Sequence, residues 1–133
     1  MKKVIGVILV LGIIGSGSYF LLFKQEGFEF TVKNQTNKEI TGLYLTYNHI
    51  NSDIKIPSIQ PGEETKLHVT PTEDFGENSM KIQYKDSKGK QHTEYVIGYF
   101  EKGYSGEGKI TLESINKNGE IQMKSKILLD STD

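Results

Sequence analysis

The residues with most claim to chemistry in this 133-residue chain form the run Gly103-Tyr104-Ser105-Gly106-Glu107-Gly108-Lys109. Their spacing meets the first seven positions of a phosphate-cradling loop, in which backbone N–H groups and a lysine hold a nucleotide's phosphates. The eighth position breaks the match. Where a Mg²⁺-binding Ser or Thr is required stands Ile110, and Ile110-Thr111-Leu112 alternates as a strand where a helix N-terminus must face the anion. The same stretch reads better as a long loop between two strands, with Tyr99, Phe100 and Tyr104 around Glu101 and Lys102. Aromatic rings beside charges and flexible glycines make a recognition surface, and Tyr104 is its expected anchoring side chain. The bland alternative has Tyr99 and Phe100 closing the end of the core while the glycines only turn the chain.

Further chemistries find little footing. His49, His68 and His92 show no i+2 or i+4 partner spacing, so no metal site is expected. Glu63/Glu64 and Glu73/Asp74/Glu77 sit in turn-like stretches and lack the alternating-acid pattern of a calcium loop, and a glycosidase pair needs a cleft that a domain this small rarely provides. There is no Gly-x-Ser-x-Gly elbow to place a nucleophilic serine. Asn34-Gln35-Thr36 is formally a glycosylation acceptor, which has no meaning in a bacterial host. The chain contains no Cys, which removes disulfides, thiolate ligands and Cys nucleophiles. All 16 basic residues are Lys, none Arg, so no planar fork exists for bidentate clamping of phosphate. From Lys24 onward 14 Lys meet 17 acids, a net charge of −3, and a nucleic-acid partner is not expected. No cofactor is implied. With 15 Ile, no Ala and no Arg, the composition resembles that of an AT-rich genome such as a low-GC Gram-positive bacterium's.

Two elements must position these residues. Val4 to Phe23 is 20 residues without a charge, 14 of them apolar and six Gly or Ser. As a helix it would extend about 30 Å, the thickness of a bilayer's hydrocarbon core. Lys2 and Lys3 precede the run, whereas Glu26 and Glu29 soon follow Lys24, so the positive-inside bias places residues 1–3 in the cytoplasm and the rest outside. The competing reading is a cleaved secretory signal, with Ser16 and Ser18 before the cut. Against it, Tyr19 to Phe23 carries the run to full spanning length. Gly12, Gly15 and Ser16 fall at i, i+3 and i+4, a small-residue face that would admit a second helix and a weak homo-oligomer.

After a linker over 24–27, the apolar pattern has a period of two: Phe28/Phe30/Val32, Leu43/Leu45/Tyr47, Leu67/Val69, Met80/Ile82/Tyr84, Tyr95/Ile97/Tyr99, Ile110/Leu112 and Ile121/Met123, with Ile54/Ile56 as a weaker eighth run. Turn chemistry separates the runs, most clearly at Asn118-Gly119. The pattern predicts an all-β domain over 28–124, an immunoglobulin-like antiparallel β-sandwich of seven or eight strands, followed by a frayed tail over 125–133. The functional expectation is non-enzymatic: a single-pass, membrane-anchored module on the outer face that binds a protein or envelope component, as an inhibitor or immunity protein would. An accessory subunit of a membrane complex is the alternative, and an envelope hydrolase a weaker one.

Overall fold

The structure is a computed structural model that describes residues 26–130. The apolar run over 4–23, the small-residue face of Gly12, Gly15 and Ser16, and the question of cleavage lie outside the described residues. Eight strands follow one another: β1 (Gly27–Asn34), β2 (Tyr44–Tyr47), β3 (Ile54–Lys55), β4 (Glu64–Val69), β5 (Glu77–Lys85), β6 (Gln91–Glu101), β7 (Ser105–Ile115) and β8 (Ile121–Leu129). They form two four-stranded sheets, ordered β4-β1-β7-β8 and β3-β2-β5-β6, in a sandwich-like arrangement.

The period-two runs place their side chains in the core between the sheets. Phe28, Phe30 and Val32 of β1, Leu45 and Tyr47 of β2, Met80, Ile82 and Tyr84 of β5, and Ile110 and Leu112 of β7 are all buried. Alternation is a local property of an extended chain, so one buried face follows directly from it. Phe28 meets Phe100 of β6 edge to face across the two sheets, with ring centroids 5.4 Å apart. Two buried amides fasten the connections. Asn34 donates to the carbonyls of Lys38 (2.7 Å) and Ile59 (2.8 Å), while its Oδ1 accepts from Thr36 N (2.9 Å) and Thr36 Oγ1 (2.6 Å). Asn78 donates to Asn48 O and accepts from Asn48 N, which holds the turn where His49 takes a φ of 71°. Asn34-Gln35-Thr36 is thus a structural pin, and a glycan on that amide would break it.

Three sequence expectations are corrected. The sandwich is not wholly antiparallel, because β1 and β7 run parallel from Gly27↔Ser105 to Asn34↔Leu112. The turn after β6 crosses from one sheet to the other and delivers β7 to the end where β1 begins, so both strands set out in the same direction. The expected tail is ordered as far as Leu129, where β8 still pairs with Gly106. The third concerns the glycine-rich run. Only Lys102 and Gly103 form the turn, closed by Tyr104 N donating to Glu101 O at 3.1 Å with Gly103 at φ 89°. Everything from Ser105 is strand. Gly106 and Gly108 are there because of close packing: a Cβ on Gly106 would lie 2.5 Å from Leu128 O, and one on Gly108 2.7 Å from the Phe30 ring.

Candidate functional site

β6 carries most of the proposed contact residues, and its register decides which of them face solvent. Register shifts between Asn78 and Lys81 displace the alternation of β6 relative to β5. Val96 and Ile97 are both buried, and Tyr95 and Tyr99, expected on the core face, are 62% and 46% exposed. A bulge puts two residues opposite one and so flips every side chain beyond it. Phe100 goes the other way. It is fully buried among Phe28, Phe75 (5.5 Å) and Tyr47 (6.1 Å), which removes it from the contact surface.

What remains is a compact exposed group. Glu101 accepts hydrogen bonds at Oε2 from the Tyr99 hydroxyl and, at 3.4 Å, from the Tyr104 hydroxyl. The two phenol rings meet edge to face, 6.3 Å apart at 67°. The hydrogen bond to Glu101 pushes the Tyr99 hydroxyl up to about 12, and burial with the Glu101 charge raises that of Tyr104. Both are therefore neutral donors at ordinary pH. Glu77 is the cross-strand partner of Glu101, so two carboxylates face each other on adjacent strands. That juxtaposition is unfavourable by itself and relieved by a positive group. Lys102, the fifth expected contact residue, points to Asp74 instead (2.8 Å), an exposed ion pair that contributes little to stability. Beyond the turn, Tyr95 lies beneath the Lys81 ammonium, 5.7 Å from its ring centroid.

The open backbone of β6 is shielded by recognisable devices. It carries the register shifts, and Glu94 stands opposite buried Ile82, a charge on the core side of an edge strand. Such features discourage a further strand from pairing there. Contact at this edge therefore falls to the side chains of Tyr99, Glu101 and Tyr104.

The titratable residues singled out in the sequence do not converge. His49 is in an exposed turn; His68 bonds Glu29 at 2.7 Å on the outer face of one sheet; His92 stacks on Tyr84 (5.0 Å, 12°) and bonds Asp86 at 2.9 Å in the other. Among the described residues no three His, Asp or Glu gather as a metal site would require. Tyr84 has a structural role that no sequence signal marks. Its hydroxyl receives Ile121 N at 2.9 Å and ties β5 to β8 beside a turn-to-turn bond from Ser87 N to Asn118 O.

Glu73 is likewise a brace. It accepts from the Tyr47 hydroxyl at 2.6 Å and from Asn51 N at 3.1 Å, joining two loops at the Tyr104 end. Burial and then the Glu73 hydrogen bond raise the Tyr47 phenol well above its ordinary value, and the same hydrogen bond lowers the Glu73 carboxyl. The signs are opposite. The phenol's contribution is complete below its unfolded pKa of about 10 and is lost as pH rises further; the carboxylate's is complete above about 4.3 and is lost as pH falls. Urea midpoints measured from pH 3 to 11 are expected to drop at both extremes. In Tyr47→Phe both drops should shrink, with a residual alkaline fall from Tyr84 and Tyr99, whose hydroxyls are also raised. An unchanged acid limb in the variant would refute the brace.

No family model and no curated protein matches the chain. Among solved structures, the NMR structure of a protein from Eubacterium rectale aligns with a TM-score of 0.47 at 13% identity, covering 75% of this chain and 88% of that one.

Proposed function

We propose that the chain is a non-enzymatic interaction module, anchored through Val4 to Phe23 with its β domain outside the cell, and that it grips a positively charged segment of a partner at the membrane surface. The observation that carries this reading is the group of Tyr99, Glu101 and Tyr104, two exposed phenols sharing one carboxylate with Glu77 opposite. Aromatic faces flanked by carboxylates suit Lys or Arg side chains through cation–π and charge-assisted contacts.

The register supports a membrane-proximal partner. Gly27 pairs with Ser105, so Tyr104 is one residue from the point where the chain enters the domain. The linker over 24–27 spans at most about 14 Å. The turns after β5 and β7, at the opposite end, would point away from the bilayer. This placement favours an accessory subunit of a membrane complex over a module reaching outward. An immunoglobulin-like kinship draws support from the order β3-β2-β5-β6 and the pairing of β1 with β4, which parallel the C′-C-F-G and B-E neighbours of that architecture. The parallel β7 and its partner β8 depart from it.

Co-purification of the full chain from host membranes in mild detergent provides the test. Wild type should retain its partner, Glu101→Gln and Tyr104→Ala should each recover at least several-fold less, and Tyr44→Ala, on the same sheet but far from the turn, should match wild type. Equal recovery across all four would remove this surface from consideration.

A further inference from the structure

We propose that His68 is a pH-dependent fastener of the chain where it enters the domain. This goes beyond the partner contact at Tyr104 and rests on a separate geometry. His68, on the outward face of β4, is the cross-strand partner of Glu29 on β1. Its Nδ1 lies 2.7 Å from Glu29 Oε2 and its Nε2 lies 3.0 Å from the carbonyl oxygen of Glu26. An ionised carboxylate and a backbone carbonyl are both acceptors only. A neutral imidazole carries one N–H and satisfies one of them, leaving its other lone pair against an oxygen. The doubly protonated ring donates to both, with a charge-assisted bond to Glu29. Glu26 is therefore fully fastened to β4 only when His68 is charged.

The position gives that bond leverage. Gly27 follows at a φ of 98°, pressed so closely on β4 that a Cβ would lie 2.5 Å from Val69 O, and Phe28 is already buried. Glu26 is the last place at which the direction of the incoming chain can change. Its carbonyl has one other donor, Thr70 Oγ1 at 3.3 Å, which keeps a weaker hold when the histidine lets go. The charged groups around the ring pull in both directions. Glu29 and, one strand further in register, Glu107 are negative; Lys66 on β4 and Lys109 on β7, one rung along the same face, are positive. His68 and Glu29 are about a third exposed, 32% and 34%, so protons reach them freely. Acidification thus draws the chain's entry point tight against β4, and its reversal frees it.

The full chain, ¹⁵N-labelled in detergent micelles, tests this by NMR between about pH 5 and 8, where histidines change charge. On acidification both His68 ring nitrogens should become protonated, and the Gly27 amide should shift with the same midpoint. In His68→Gln, whose amide carries the same protons at every pH, that shift should be lost. A Gly27 amide that is still, or that shifts equally in His68→Gln, overturns the proposal. So does a ring that keeps one proton throughout. Matching urea midpoints for the two proteins at pH 8 guard against a folding defect.

Discussion

Replacing Phe100 by alanine is expected to lower the stability of the domain by about 3–5 kcal/mol, the range for deleting a large aromatic from a packed core. The residue sits between exposed Tyr99 and Glu101, and the sequence allows either all three on one contact surface or Tyr99 and Phe100 together in the core. The structure separates them. Phe100 contacts Phe28 across the sheets at 5.4 Å and Phe75 at 5.5 Å, so its loss opens a cavity shared by three other rings. Tyr99→Ala removes a half-exposed side chain whose hydrogen bond to Glu101 and edge contact with Tyr104 are open to solvent, and should cost about 1 kcal/mol. Urea denaturation of the full chain and both variants decides the matter through the midpoint at constant m. A loss below about 1 kcal/mol for Phe100→Ala would contradict its place in the core. The contrast also separates stability from recognition, because a binding defect in Tyr99→Ala could not then be blamed on unfolding.

The second large effect is expected at Asn34. Alanine there leaves the backbone N–H of Thr36 without a partner in a buried corner and takes one of two donors from each of the carbonyls of Lys38, which keeps Thr36 Oγ1, and Ile59, which keeps Ile40 N. The unpaired N–H costs about 1–3 kcal/mol and each bond lost from a carbonyl that keeps its other donor about 0.5–1.5 kcal/mol, so the expected total is about 3 kcal/mol. Asn34→Asp is the sharper probe. It keeps the acceptor that Thr36 uses but turns a carboxylate oxygen toward two carbonyls, so it should destabilise at least as much as alanine. If Asn34→Asp stayed within about 1 kcal/mol of wild type in the same urea titration, the two donated bonds would not be what holds the crossing from β1 to the Ile40↔Ile59 bridge. The same variants bear on glycosylation. An amide committed on both its nitrogen and its oxygen is not an acceptor for sugar in the folded domain.

Much of the strand content was legible because alternation acts locally. Phe28, Phe30 and Val32, or Met80, Ile82 and Tyr84, can share a face only if the chain is extended, and all six are buried. The Asn116 to Gly119 turn was legible for a related reason: Gly119 takes a φ of 81°, which only glycine adopts without strain. The contact surface was half legible. Tyr99, Glu101 and Tyr104 do come together, but Phe100 turns inward and Lys102 turns to Asp74. No local pattern announces the register shifts in β5 and β6 that separate them, because a bulge is a relation between two strands. Gly106 and Gly108 mislead for the same reason. In sequence they resemble a flexible loop, whereas their missing side chains make room for Leu128 and Phe30, residues remote along the chain.

By itself the sequence determined composition, charge balance, the alternating strands and the tight turns, each set by residues within a few positions of one another. Only the tertiary structure decided that β1 and β7 run parallel, that the aromatic turn lies beside the point where the chain enters, and that both nitrogens of His68 meet acceptors. These depend on which distant strands pair and in what register, a choice made by the packing of the whole core.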